Sequence, residues 1–256
     1  MLQIFIRPPK GALGVLVQRM RPIDTNNAGL KTVDEGGSDR LDRALFTMKK
    51  LLLTYLLSMS VQCFAADSAD GFVPLFNGQN LNGWKVNENP ATFTVHEGLL
   101  VANGDRAHLF YDGPISTHDF KNFHLRVEVR TNPESNSGVY FHTEFQDSGW
   151  PAKGYEVQVN NTHKDPKKTA GLYGILDNFT APAEDGKWFV MEVIVEGKHI
   201  VTKVDGKVVS DFVEPDPANP PKGFAGRMIG HGTFAIQGHD PVSKVSYKRI
   251  EVKILP

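Results

Sequence analysis

From Phe93 to the C-terminus, apolar and polar residues alternate at a period of two almost without a break. Phe93 and Val95, then Leu99 and Val101, flank Glu97-Gly98 and predict a hairpin. Phe123, Leu125, Val127 and Val129 alternate with His124, Arg126, Glu128 and Arg130, which predicts one long strand. Phe189, Met191, Val193 and Val195 repeat the pattern before the turn at Glu196-Gly197-Lys198. Ile200 to Val204 and Val208-Val209 flank Asp205-Gly206, a strong hairpin signal because its backbone readily accepts positive φ. Phe234 to Ile236 and Val245 to Ile254 close the chain as further strands, and Glu214 to Pro221 reads as a Pro-rich surface loop bordering a site. No long stretch places apolar residues at helical spacing, and no internal repeat interrupts the pattern. Short strands punctuated by Gly, Pro, Asn and Asp predict an all-β sandwich of antiparallel sheets.

Two of these strands stand apart. In Asn136-Ser-Gly-Val-Tyr-Phe-His142 and Gly154-Tyr-Glu-Val-Gln-Val-Asn160, the apolar set is Val139, Phe141, Tyr155, Val157 and Val159. Successive side chains on a strand point to opposite faces, so Tyr140, His142, Glu156, Gln158 and Asn160 share the other one. An ordinary solvent face mixes Lys, Thr, Ser and Glu. This one gathers aromatic, imidazole, carboxylate and carboxamide groups, the types that grip or process a sugar.

A segment ahead of the strands belongs to targeting. Met48-Lys49-Lys50 is a short basic region, Leu51 to Val61 an apolar core, and Cys63-Phe64-Ala65 ends in a small residue. That is the grammar of a secretory signal peptide over 48–65, and the apolar run is too short to span a bilayer. Residues 1–47 carry no sustained period, and the simplest expectation is an upstream extension misassigned to the chain, with initiation at Met48. The mature chain expected, 66–256, is one domain exported to the periplasm or the extracellular space. Gln62 rather than a small residue precedes Cys63, which disfavours lipid attachment. Cleavage removes the single cysteine, leaving no disulfide and no thiolate chemistry, so stability must come from a hydrophobic core. Of 28 Lys and Arg, nine precede Ala66, and of 29 Asp and Glu, five do; 19 against 24 remain, a net charge of −5. Such a chain has no basic field for nucleic acid and no signal for stable membrane insertion. Nothing in it indicates an oligomeric state.

Six ordered blocks resemble one family. Pro74-Leu-Phe-Asn-Gly-Gln-Asn-Leu-Asn-Gly-Trp84 is similar to the opening of the 3-keto-disaccharide hydrolase domain, long a domain of unknown function. Asn136-Ser-Gly138, Gly154-Tyr-Glu-Val-Gln158, Gly171-Leu-Tyr173, Gly186-Lys-Trp188 and Phe234-Ala-Ile-Gln-Gly-His239 resemble its later signatures, in order. The resemblance spans about Phe72 to Pro256. It implies a concanavalin-like jelly roll of two antiparallel sheets, with a carbohydrate or glycoside ligand on the concave face. One position departs: many members carry Arg where His142 stands, so a cationic contact there is either absent or switched by pH.

Ordinary glycoside hydrolysis needs two carboxyl groups across the scissile bond. Glu156 is followed at the alternate position by Gln158, an amide, and only Glu144 or Asp240 offers a second carboxyl, so double displacement is disfavoured. A 3-keto sugar needs less. Its ketone acidifies the hydrogen on carbon 2, and one base then permits elimination across carbons 1 and 2, followed by hydration. Glu156 and His239 are the candidate catalytic groups. Tyr140, His142, Gln158, Asn160, Tyr173 and Gln237 are candidate substrate contacts, with Trp150 as an aromatic platform and Lys164 on the rim. Gln237 and His239 lie two apart and so share a face; resemblance alone puts that face beside Glu156. Trp84 and Trp188 read as core, and Asn136 as a turn cap or a ligand contact with equal weight. No His pair stands at a metal spacing such as His-Glu-x-x-His, and no cofactor is called for. A structural Ca²⁺ is compatible with the fold class, though the sequence names no site for it. The alternative to an enzyme is a non-catalytic, lectin-like carbohydrate-binding module.

Overall fold

The computed structural model describes residues 70–256, and both the signal-peptide segment 48–65 and the upstream residues 1–47 lie outside the described residues. In chain order the strands are β1 (Val73–Pro74), β2 (Trp84–Val86), β3 (Phe93–His96), β4 (Leu99–Ala102), β5 (Ala107–Tyr111), β6 (Phe123–Thr131), β7 (Ser137–Thr143), β8 (Tyr155–Val159), β9 (Phe189–Glu196), β10 (His199–Val204), β11 (Lys207–Val213), β12 (Thr233–Gly238) and β13 (Val245–Ile254). They form two antiparallel sheets. One has eight strands, ordered β11-β10-β9-β6-β13-β4-β3 with β1 beside β13; the other has five, ordered β2-β5-β12-β7-β8. This is the expected jelly-roll sandwich. No helix among the described residues is long and apolar enough to cross a membrane.

The eight-stranded sheet follows the simple pattern. Phe123, Leu125, Val127 and Val129 of β6 are fully buried while the residues between them are half-exposed. They face Val139, Phe141, Val157, Phe234 and Ile236 of the smaller sheet in one continuous core. The turns that set the registers are those the sequence marks. Glu97 and Gly98 have φ of 51° and 80°, Asp205 and Gly206 of 48° and 76°, the paired positive values of a tight hairpin turn. Trp84 is buried, its indole N–H donating to Leu75 O at 2.9 Å. Trp188 is instead half-buried, with the Arg130 guanidinium 4.7 Å and the Lys248 ammonium 5.8 Å from its ring. Period-two patterning cannot separate that stacked position from the core.

Four of the strands of the five-stranded sheet are buried on both faces. Every residue of β5, β7, β8 and β12 is buried, so the expected wet face is roofed over. The free edge of β8 is covered by the segment after it: Gln158 N–H donates to Gly171 O at 3.0 Å and Tyr173 N–H to Glu156 O at 2.9 Å. The chain between β11 and β12 covers another part. Glu214, buried, accepts from both the Tyr155 hydroxyl and Ile229 N–H at 2.6 Å, and Gly154 N–H donates to Gly226 O at 2.9 Å. A Cβ on Gly226 would lie 1.9 Å from Ala152 O, so only glycine lets these two loops close on each other.

Candidate active site

Between those loops, the outer face of the five-stranded sheet is the floor of a cleft of about 670 Å³. Tyr140 of β7, Glu156 and Gln158 of β8, and Gln237 of β12 form the floor, with His239 just beyond the end of β12. Trp150-Pro151-Ala152 from the β7–β8 loop, Gly223 to Arg227 from the β11–β12 loop, and Asp165 and Tyr173 make the walls.

At the centre, Glu156 is a buried carboxylate held from several sides. Arg227 Nη2 donates to Oε2 at 3.2 Å, and Gln237 Nε2 donates to Oε1 at 2.8 Å. The same Gln237 nitrogen lies 3.0 Å from the Tyr140 hydroxyl oxygen. Burial raises the Glu156 pKa, opposed first by the Arg227 charge and then by hydrogen bonds from Tyr140 and Gln237. The result is a carboxylate more basic than one in water but still furnished with a cation. Arg227 also reaches Gly154 O at 3.3 Å and Pro151 O at 3.4 Å, tying its loop to the β7–β8 loop.

Beside this pair, His239 Nδ1 donates to Asp240 Oδ2 at 2.6 Å. Asp240 is pulled below its ordinary value because its hydrogen bonds from His239, Ser243 and Val242 outweigh its partial burial. That bond fixes the ring and leaves Nε2 for the cleft. His163 and Trp150 pack on His239, each with ring centroids 5.5 Å away. Farther along the floor, Gln158 Nε2 donates to Asn136 Oδ1 at 3.2 Å, and Asn136 Nδ2 meets His163 Nδ1 at 3.2 Å. The side-chain carbonyl oxygens of Gln158 and Gln237 are buried without a hydrogen-bond partner, as are both ring nitrogens of His108. Buried carboxamide oxygens of this kind suit a ligand that supplies hydroxyl donors.

Seven of the ten residues named from the sequence line this cleft: Tyr140, Trp150, Glu156, Gln158, Tyr173, Gln237 and His239. Three do not. His142 has φ of 54°, at the point where the β7–β12 register shifts. That bulge turns it out of the Tyr140 row and against Phe123 and Phe141. Its Nε2–H donates to Lys121 O at 2.8 Å and its Nδ1 accepts from Gly230 N–H at 3.3 Å, which fixes one neutral tautomer. Asn160 follows the last residue of β8, and its amide donates to Asp165 O and Lys167 O, bracing the loop rather than meeting a ligand. Lys164 is exposed and outside the cleft. Of the two carboxyl groups considered for a second catalytic acid, Glu144 is exposed and paired with Lys153 at 3.0 Å, while Asp240 is committed to His239.

Arg227 and Asp165 are the residues that sequence reasoning missed. Arg227 sits in a Gly- and Pro-rich stretch with no period to flag it. Asp165 Oδ2 accepts from the Tyr173 hydroxyl at 3.1 Å, and Lys167 N–H donates to Oδ1 at 2.9 Å. Burial, followed by the Asp165 charge, pushes the Tyr173 phenol up to about 12. Among the described residues, no three His, Cys, Asp or Glu side chains converge as metal ligands.

Two expected results follow from this geometry. An ideal Cβ on Gly138 would lie 2.7 Å from Glu156 Oε1 and 3.3 Å from Gln237 Nε2. Gly138→Ala therefore displaces the carboxylate by a fraction of an ångström to about an ångström, and kcat falls about 10²-fold with the fold retained. Steady-state kinetics beside a thermal melt check it, and full activity would show that the carboxylate position is not critical. Secondly, burial pushes His142 down to about 4 and His108 down to about 3, from 6.5. A lowered imidazole stabilises the fold fully above pH 6.5, and that stability is lost as pH falls towards the folded values. The Tm of the wild type accordingly drops more between pH 6.5 and 4 than that of His142→Gln; parallel curves would refute the neutral, buried assignment.

Residues 71–253 match the 3-keto-alpha-glucoside-1,2-lyase-like domain. The chain belongs to that family. A 3-keto-disaccharide hydrolase of Bacteroides thetaiotaomicron is 27% identical to it over 154 residues, 50% of this chain and 53% of that protein. The chain thus spans about half the length of the curated relative it matches. Two crystal structures of candidate glycosyl hydrolases from Parabacteroides distasonis share the fold. One superposes with a TM-score of 0.64 at 20% identity, covering 76% of this chain and 98% of that one. The other gives 0.56 at 23% identity, covering 72% and 99%.

Proposed function

We propose that this protein cleaves 3-keto glycosides by elimination across carbons 1 and 2 of the oxidised ring, followed by hydration. The observation that carries the reading is Glu156: one buried carboxylate, paired with Arg227 and hydrogen-bonded by Gln237, on the floor of a sugar-sized cleft. The family description, a 1,2-lyase, supports the elimination step, and the Bacteroides relative, named a hydrolase of 3-keto disaccharides, supports the overall outcome.

In this mechanism Glu156 takes the proton from carbon 2, which the neighbouring ketone has acidified. Desolvation raises its pKa and so strengthens it as a base, while the Arg227 charge opposes that rise. Negative charge develops on the ketone oxygen, and the Arg227 guanidinium and Tyr140 hydroxyl stand beside Glu156 to receive it. The bond from carbon 1 to the glycosidic oxygen then breaks, and His239, oriented by Asp240, delivers a proton to that oxygen. Water then adds across the resulting double bond: its hydroxyl joins carbon 1, its proton goes to His239, and Glu156 returns its proton to carbon 2. Trp150 closes one wall and offers the ring an apolar surface. Export of the enzyme before it acts is part of the proposal and is supported by the basic and apolar run at 48–65.

The deciding test is turnover of a 3-keto glycoside beside its unoxidised parent, with deuterium exchange at carbon 2 followed in D₂O. Cleavage and exchange of the keto form alone support the elimination route. Equal cleavage of both overturns it in favour of a two-carboxylate mechanism, for which Asp165 is the second acid in the cleft. Glycan binding without turnover would make the protein a lectin-like module.

A further inference from the structure

His239 opens the loop that joins β12 to β13, and that loop is stapled to the residues leading into β7. Asn132 N–H and the Ser135 hydroxyl both donate to Lys244 O at 3.0 Å, and Lys244 N–H donates back to Ser135 Oγ at 2.9 Å. From β4's end, the Asn103 amide donates to Ser243 O at 2.9 Å and to Pro241 O at 3.1 Å. Inside this held loop Asp240 receives four hydrogen bonds, enough to occupy both carboxylate oxygens fully. Val242 N–H and Ser243 N–H donate to Oδ1 at 2.9 Å each; His239 Nδ1 donates to Oδ2 at 2.6 Å and the Ser243 hydroxyl at 3.1 Å. Ser243 Oγ in turn accepts from Asn136 N–H at 2.9 Å, which leaves its own proton for the carboxylate. Ser243 and Asn136 are each 3% exposed.

Asn136 supports His239 from a second side. Its Nδ2 donates to His163 Nδ1 at 3.2 Å, where Asp165 N–H also donates at 3.1 Å. A ring nitrogen that receives two N–H donors carries no proton, so the His163 proton lies on Nε2. The ring fixed in this way meets the His239 ring at 5.5 Å and 64°. Asn136 Oδ1 accepts from Gln158 Nε2 at 3.2 Å, so the same side chain is tied to the cleft floor. We propose that Ser243 and Asn136 are positioning residues for His239: the line Asn136–Ser243–Asp240 fixes its Nδ1, and the Asn136 amide fixes the His163 ring beside it. The proposal rests on the function proposed above, in which His239 protonates the departing oxygen. Neither residue has to touch that oxygen. Both act through the direction in which Nε2 points, because a ring oriented beforehand gives up no freedom at the moment of proton transfer.

The step served by His239 separates two kinds of leaving group. In an alkyl 3-keto glycoside the bond from carbon 1 breaks with its electron pair on oxygen, and that oxygen needs the His239 proton. In the 4-nitrophenyl 3-keto glycoside the phenolate leaves as an anion and needs none. Ser243→Ala and Asn136→Ala are expected to lower kcat on the alkyl glycoside about tenfold, part of what a general acid contributes, and to change kcat on the nitrophenyl glycoside less than about twofold. In D₂O the uncleaved alkyl substrate should also gain more deuterium at carbon 2 per cleavage than with the wild type. Glu156 is intact in both variants, and the enediolate more often returns to substrate when its leaving group waits for a proton. Both substrates slowing in equal proportion, or neither slowing, overturns the proposal; a merely structural role spares neither. If Ser243→Ala does not melt cooperatively, Asn136→Ala carries the comparison. Should the wild type cleave neither substrate, the function proposed above fails, and proton NMR decides the positioning alone. The Nδ1–H signal of His239, identified by its loss in His239→Gln, should exchange with water faster in Ser243→Ala than in the wild type, and equal exchange refutes the relay.

Discussion

Replacing Glu156 by Gln lowers kcat on a 3-keto glycoside by about 10³-fold or more, within the range that removing a general base produces. The carboxamide is nearly the same size and can still meet Gln237 and Arg227, so the cleft keeps its shape and KM changes little. What it lacks is an oxygen basic enough to accept the carbon 2 proton. Deuterium exchange at that carbon should vanish together with turnover, since both need the same proton transfer. Exchange that persists while cleavage stops would move the base elsewhere, to His239 first. A second signature comes from stability. Burial raises the Glu156 pKa above its ordinary 4.5, so its contribution to stability is fully present below that value and declines as pH rises through the folded pKa. The difference in Tm between wild type and Glu156→Gln should therefore fall as pH is raised from 4.5. A difference that rises instead would mean that Arg227 has pulled the carboxyl below its unfolded value.

The eight-stranded sheet was legible in the sequence because its central strands have one buried face and one wet face. β6 and β9 alternate strictly, and the β3–β4, β9–β10 and β10–β11 hairpins are marked by turn residues that accept positive φ. β5, Ala107 to Tyr111, is buried on both faces and so shows no alternation to read. The candidate site follows the same logic. Glu156, Gln158 and Gln237 were legible because polar side chains at alternate positions of apolar strands require an explanation, and the cleft supplies it. His142 was misplaced because a bulge shifts the register by one, and a shift of one sends a side chain to the opposite face. Asn160 was misplaced because β8 ends at Val159, one residue earlier than the pattern suggests. Arg227 was invisible for a different reason. It meets Glu156 across 71 positions of chain, from a loop whose conformation depends on glycines and on the buried Glu214 rather than on any period.

That invisible residue carries the largest expected effect on stability. Arg227 and Glu156 are each 7% exposed and 3.2 Å apart, a buried pair. Replacing Arg227 by Met keeps much of the volume and removes the cation, leaving a buried carboxylate with no opposite charge. Breaking such a pair from one side costs about 3–5 kcal/mol. The loop contacts to Pro151 O and Gly154 O are lost as well, so the wall of the cleft loosens. Without the guanidinium, burial is less strongly opposed and the Glu156 pKa rises further, so the base is protonated over more of the working pH range and kcat falls too. Because the carboxylate is what makes the single variant costly, removing its charge should restore stability. Arg227→Met combined with Glu156→Gln is expected to melt above Arg227→Met alone, with a coupling of about 2–3 kcal/mol in a double-mutant cycle. Simple additivity of the two changes would show that the pair is two independent loop contacts and would remove Arg227 from the account of how the Glu156 carboxyl is held. Coupling together with lost activity in all three variants would place both residues in one unit, a base and the cation that holds it ready.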